Sequence, residues 1–157
     1  MTPAASPSLT PLSEAEIHAI HQLYRAFSAG NAHLLNEAVA PDWQDIPLGP
    51  GQGPGPEGIK PMMGAFLQAF PDLEIVIHEI MGSAGRAAVR AEIRGTHRGE
   101  WFGIPATNKP VRIALHEFHH LANGRVTHTW HLEDWFGMFH QVGALPPGLY
   151  VWMLAPC

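Results

Sequence analysis

The chain has 157 residues, enough for one domain with its own core, and its hydrophobic content of 46% is that of an ordinary soluble fold. A net charge of -5 with only nine Lys and Arg, none clustered, argues against a nucleic-acid groove or an anionic membrane and leaves a small molecule as the expected partner. The one cysteine, Cys157, is the last residue, so no disulfide framework or cysteine metal motif is expected, and a reducing cytoplasm is the expected compartment.

Residues 1–12 are rich in Pro, Ser and Ala without a basic start or an apolar stretch, which predicts a flexible arm rather than a signal peptide. Ser13 with Glu16 makes a capping box, and Ile17, Ile20, Leu23, Tyr24 and Phe27 recur on one face, predicting a helix over residues 13–29 that Gly30 ends. Asn31 as cap and Pro41 as stop predict a short second helix over residues 32–40. Residues 41–58 hold Trp43, Gln44 and Asp45 and then a Gly/Pro tract, a composition that predicts a loop. A third helix is expected over residues 57–70, with Pro61 near its first turn and Met62, Met63, Phe66, Leu67 and Phe70 apolar.

Strands are expected at residues 73–81, 86–97, 111–121 and 126–135, followed by a short helix at 137–142. Three helices before four antiparallel strands is an α+β pattern, with the helices laid against one face of a curved sheet. The domain is expected to span residues 13–143. The tail, 144–157, carries Leu149, Tyr150, Val151, Trp152 and Leu154 and is expected to dock on the domain or on a partner subunit.

The chemistry gathers in residues 86–135, which hold His97, His116, His119, His120, His128 and His131 with Glu117, Glu133 and Asp134. Asn123-Gly124 between two strand-like runs signals a hairpin. With a two-residue loop Leu121 pairs with Val126, and Glu117 and His119 share a face with His128, Trp130 and Asp134, which then becomes the main acid/base candidate. With a three-residue loop and a bulge at Gly124, Leu121 pairs with Arg125, and Leu115, Glu117 and His119 share a face with Thr127, Thr129, His131 and Glu133. One residue of slip exchanges the whole inventory, and the pattern leaves both registers open. In either, alternation spreads the histidines over two faces, so no metal site is expected.

Phe70-Pro71-Asp72-Leu73, the stretch from Gly95-Thr96-His97-Arg98 through Trp101-Phe102-Gly103-Ile104-Pro105 to Asn108-Lys109, Asn123-Gly124-Arg125-Val126 and His128-Thr129-Trp130 follow one another at a familiar spacing. Together they make the chain resemble the SnoaL-like polyketide cyclases of the nuclear transport factor 2-like superfamily, over residues 13–142. The resemblance implies a cone-shaped α+β barrel, a curved antiparallel sheet wrapped around an apolar pocket capped by three N-terminal helices. It also implies aldol ring closure with no metal or organic cofactor, driven by an acid/base aspartate near the end of the hairpin.

By position that aspartate falls on His131, the histidine of the preceding strand on Glu117, and the pocket asparagine after the second helix on Asp45. The sequence thus departs from the cyclase pattern at three places while keeping an imidazole and a carboxylate. The resemblance favours the bulged register, where Glu117 and His131 are diagonal neighbours about 7 Å apart. The expected catalytic set is His131 oriented by Glu117, with Asp45 opposite. Trp43, Trp101 and Leu115 are expected as walls, and His97 or His119 as donors to an enolate.

The leading expectation is a cofactor-free cyclase or isomerase acting on a small apolar or aromatic carbonyl compound, dimeric through the outer face of the sheet. A second is a non-catalytic small-molecule-binding or accessory protein of the same fold, in which Glu117 and His131 are a structural pair, His97 fixes a loop and Asp45 caps a turn. A third, an epoxide hydrolase of the superfamily, requires an Asp-Arg-Asp arrangement, and the sequence does not place two aspartates around Arg90 or Arg112.

Overall fold

The computed structural model describes residues 10–145. Its elements are α1 (Glu14–Ala29), α2 (Ala32–Ala38), β1 (Val39–Ile46), α3 (Gly55–Ala69), β2 (Glu74–Ser83), β3 (Arg86–Thr96), β4 (Pro110–Ala122), β5 (Arg125–Glu133) and α4 (Trp135–Val142). Most of the expected arm, and the apolar tail from 146 onward, lie outside the described residues. Thr10 and Leu12, expected in that arm, are attached: the Thr10 carbonyl accepts from Ala84 N at 2.8 Å, and Leu12 packs against the core.

Local chemistry explains the first elements. Ser13 and Glu16 close a reciprocal capping box on α1, and Gly30, left-handed at φ 59°, takes the last carbonyls. Asn31 caps α2 through its side-chain oxygen. Ala19, Ile20, Leu23 and Tyr24 are the buried stripe that α1 turns to the sheet.

The sheet has five strands in the order β1-β5-β4-β3-β2. Here the structure corrects two expectations. The sheet is mixed, because β1 runs parallel to β5, and it is open, with β1 and β2 as its two edges rather than a closed barrel. The strand β1 also occupies part of a segment expected to be loop, and it shortens α2 by two residues. Pro41 lies between Val39 and Gln44, where the pairing with β5 shifts register at the sheet's edge, a place where a missing N–H is tolerated. Trp43 and Asp45 alternate inward along this strand, so the helix before it hands the chain directly to the pocket.

The β4–β5 hairpin combines features of both expected registers. Asn123 and Gly124 both have positive φ, 53° and 71°, so the loop has two residues and Leu121 pairs with Val126. A bulge then follows, since His120 pairs with His128 and Thr127 is the extra residue. Beyond it His119 faces Thr129, Glu117 faces His131 and Leu115 faces Glu133. The inward set matches the bulged register at Thr129, His131 and Glu133, but the bulge falls two residues past the turn, so Thr127 is taken up by it and Val126 turns inward instead. Glu117 and His131 are directly opposite rather than diagonal.

Buried side chains of β3 and β4, among them Val89, Ala91, Ile93, Val111 and Ile113, meet α1 and α3 in one core. The loop after β3 is pinned to the end of α3: Arg98 N and Gly99 N both donate to Ala69 O, at 2.8 and 3.0 Å. A Cβ on Gly99 would lie 2.4 Å from the Gln68 carbonyl oxygen, so only glycine allows this approach. Among the described residues no helix is long and apolar enough to cross a membrane.

Candidate functional site

The concave side of the sheet and the helices enclose a cavity of about 520 Å³, within the size range of small-molecule sites. Its wall is divided. One part is aromatic: Phe66 of α3, Trp101 and Phe102 of the loop before β4, and Trp135 of α4 lie with ring centroids 4.5 Å (Phe66–Trp101), 5.2 Å (Phe102–Trp135) and 5.8 Å (Trp101–Trp135) apart. The other part is polar, formed by Tyr24, Asp45, Glu117, Thr129, His131 and Glu133. Pro47, Leu48, Gly49 and Gln52 form the rim beside Asp45.

Six of the eight residues expected from sequence line this cavity: Trp43, Asp45, Trp101, Leu115, Glu117 and His131. His97 and His119 stand behind the wall. His97 is fully buried against Phe70, with Nδ1 3.0 Å from Thr107 Oγ1 and its backbone bonded to Thr107, Asn108 and Lys109, so it holds the loop that carries Trp101. Burial pulls its pKa down. His119 contacts three members of the wall, Tyr24, Glu117 and Thr129.

His131 is held by Glu133 rather than by Glu117, which was the expected orienting partner. Its Nδ1 is 2.9 Å from Glu133 Oε1, its Nε2 is 2.9 Å from the Pro47 carbonyl oxygen, and Asp45 Oδ1 lies 3.5 Å from the same Nε2. A carboxylate and a carbonyl only accept, so both ring nitrogens carry protons and the ring is an imidazolium. Burial pulls the His131 pKa down, but the hydrogen bond and charge of Glu133, then the charge of Asp45 and the Pro47 carbonyl, outweigh it and raise the value to about 9. The His131 ring is therefore charged at neutral pH, with both N–H groups donating, whereas its sequence position is compatible with either an acid or a base.

Asp45 does not cap a turn. Its Oδ2 accepts from Gln52 Nε2 at 2.8 Å, and Gln52 in turn accepts from Gly49 N at 2.9 Å, which ties the Gly/Pro rim to the site. Burial raises the Asp45 pKa, and the Gln52 hydrogen bond and His131 charge only partly offset this. Glu117 Oε2 accepts from the Tyr24 hydroxyl and is 3.4 Å from His119 Nε2. Burial, followed by the Glu117 charge, raises the Tyr24 pKa well above that of a free phenol, so Tyr24 remains a donor.

Sequence reasoning did not select Tyr24, Gln52, Thr129 or Glu133. Tyr24 is hidden within an apolar helix stripe, and nothing local marks its hydroxyl. Glu133 was legible, since it shares the alternating face of β5 with His131. Asp134, the alternative acid/base candidate, instead caps α4 by accepting from Gly137 N at 2.8 Å. Arg90 pairs with Glu79 and is not part of the cavity wall. Among the described residues no three His, Asp, Glu or Cys side chains are grouped to hold a metal ion.

The fold has many solved counterparts. TsrD from Streptomyces laurentii superposes with a TM-score of 0.77 at 21% identity, over 85% of this chain and 98% of that one. IdmH from Streptomyces antibioticus does so with a TM-score of 0.71 at 27% identity, over 83% and 99%. A SnoaL-like polyketide cyclase from Agrobacterium tumefaciens gives a TM-score of 0.66 at 17% identity, over 80% and 95%. No curated protein sequence matches the chain significantly. The family model for SnoaL-like polyketide cyclases matches residues 18–142, from within α1 to the end of α4 and across the whole cavity, and the chain belongs to that family.

Proposed function

We propose that the protein is a cofactor-free acid/base enzyme that forms an enolate from a small, largely apolar carbonyl compound and directs it into an aldol ring closure or an isomerisation. The observation that carries this reading is the pairing of an imidazolium with a separately held carboxylate on one cavity wall: His131 donates and Glu117, directly opposite it, accepts. The contacts of Glu117 gather on Oε2, which leaves Oε1 for an α-proton of the substrate. Electrons from that C–H bond move onto the carbonyl oxygen, which takes a hydrogen bond from His131 Nε2 in competition with Pro47. In ring closure the enolate carbon attacks a second carbonyl of the same molecule, and the new alkoxide recovers the proton from Glu117. Asp45 keeps His131 charged, and the aromatic wall holds a flat skeleton.

The test is deuterium uptake. A panel of bicyclic and tricyclic 1,3-diketones and β-keto esters is incubated with the protein in D2O, and exchange at the α-carbon is followed by NMR. Wild type is expected to exchange at least one member, with Glu117→Gln and His131→Gln each slower by about 100-fold or more. Binding of the panel without exchange would leave the second reading, a binding protein. That reading is favoured by one feature: both His131 N–H groups already have protein acceptors.

The outer face of the sheet suits a second copy of the chain. Phe118 faces Trp130 across β4 and β5, His116 faces Leu132, and Phe118 and Leu132 are 63% and 72% exposed. Light scattering of the wild type and of Phe118→Lys/Leu132→Lys tests this homodimer, with a mass near twice the chain expected only for the wild type.

A further inference from the structure

His119 is a titratable residue that the proposed reaction does not touch. It is 1% exposed, and both ring nitrogens have partners. Its neighbours determine which way those hydrogen bonds run. The Trp43 indole N–H can only donate, and it donates to Thr129 Oγ1 at 3.0 Å. The Thr129 hydroxyl has one proton of its own to give, and His119 Nδ1 is 3.1 Å from it. At the far end the single Tyr24 hydroxyl proton goes to Glu117 Oε2. Tyr24 must then accept from His119 Nε2, 3.1 Å away.

The opposite tautomer fails at both ends. With the proton on Nδ1, the Thr129 hydroxyl proton loses its acceptor, and an unprotonated Nε2 competes with Glu117 for the Tyr24 proton. Each change deprives a buried polar group of a bond. We infer that Trp43, Thr129, His119 and Tyr24 form a one-way chain of donors ending on Oε2 of Glu117, and that His119, locked as the Nε2–H tautomer, is a positioning residue for the proton acceptor. The inference rests on the proposed role of Glu117.

The chain joins four elements: Trp43 on β1, Thr129 on β5, His119 on β4 and Tyr24 on α1. Bonds aligned in one direction polarise one another, so a change at Thr129 is felt at Glu117, three hydrogen bonds along the chain. Because an indole N–H cannot accept, no proton leaves the site through Trp43. The chain therefore orients Glu117 and does not relay its proton.

The experiment uses the full chain with labelled histidine rings and glutamate carboxyls, and needs no substrate. At neutral pH, long-range ¹H–¹⁵N correlation is expected to show the His119 proton on Nε2 and a bare Nδ1. In Thr129→Val the tautomers mix, and the Glu117 carboxyl ¹³C signal at neutral pH moves from its wild-type position. Thr129→Ser restores both. Tyr24, Asp45, His131 and Glu133, the other ionisable groups on that wall, are unchanged in these variants, so a shift at Glu117 reports on the chain. A proton on Nδ1, a doubly protonated ring, or a Glu117 signal that ignores Thr129→Val would overturn the inference. Retained exchange activity in Glu117→Gln would instead overturn the role of Glu117 in the reaction.

Discussion

Glu117 and His131 face each other directly across β4 and β5, yet each is held by other groups, Glu117 by Tyr24 and His119, His131 by Glu133 and Pro47. A directly bonded pair would quench itself, the carboxylate spending its lone pair on the imidazolium. Separate anchoring leaves both side chains facing the same cavity. The bulge takes up Thr127 as an extra residue, so that with Thr127 present His131 and Glu133 still fall on the side occupied by Glu117.

The first prediction concerns alkaline pH. The His131 pKa, about 9, is raised above its ordinary value of about 6.5. The stability it contributes is therefore fully present below about pH 6.5 and is lost as pH rises through about 9. Calorimetry between pH 6 and 10 should show a loss of about 1–3 kcal/mol over that window. Glu133→Gln should flatten the slope and bring the His131 titration down. A slope unchanged by this variant would assign the alkaline loss to other groups.

A second prediction concerns Tyr24. Its hydroxyl is the contact shared by Glu117 and His119, so Tyr24→Phe leaves the buried His119 and the half-buried Glu117 each short of a partner while keeping the ring's packing. The cost should be about 1–3 kcal/mol in urea unfolding at neutral pH. Phe27→Leu, which changes apolar wall without touching a polar group, should not alter the His119 ring signals as Tyr24→Phe does.

Much of this architecture was legible in the sequence for local reasons. Ser13 with Glu16, Asn31 and Asn123-Gly124 each carry their structural outcome within three or four residues. What stayed hidden is set by distant partners. The edge strand β1 looked like loop because its pairing with β5 connects residues more than eighty positions apart. The position of the hairpin bulge depends on which side chains the core accepts, and the turn alone does not fix it. Tyr24 and Gln52 enter the site only because α1 and the rim fold over the sheet, whereas His131, Glu117 and Asp45 could be placed by the family's spacing.

A third prediction follows from the bulge. Val126 and Thr129 both point inward, three positions apart, because Thr127 is extra. Deleting Thr127 restores simple alternation and leaves Glu117 opposite His131. The variant should fold, losing the Thr127 Oγ1 bond to the His120 carbonyl and some local twist, at a cost of about 1 kcal/mol. The His131 ring signals should still titrate near 9. An ordinary imidazole titration in the folded variant would mean that the bulge itself sets the site's geometry.

The last prediction sets stability against chemistry at Asp45. Burial is the largest influence on this carboxyl and raises its pKa, so the fold binds the Asp45 proton more tightly than the unfolded chain does. The ionised group therefore costs stability at neutral pH, and the cost fades as pH falls toward the raised pKa. Asp45→Asn removes that charge in the same shape, and the amide oxygen can still accept from Gln52. At neutral pH the variant should be more stable by roughly 0.5–1 kcal/mol. It should also remove a negative charge 3.5 Å from His131 Nε2 and so lower the His131 pKa from about 9. If Asp45 serves the site, its replacement yields a more stable protein whose imidazole is less fully charged and whose exchange rate is lower. A variant with unchanged stability and an unchanged His131 titration would show that Asp45 is screened from both.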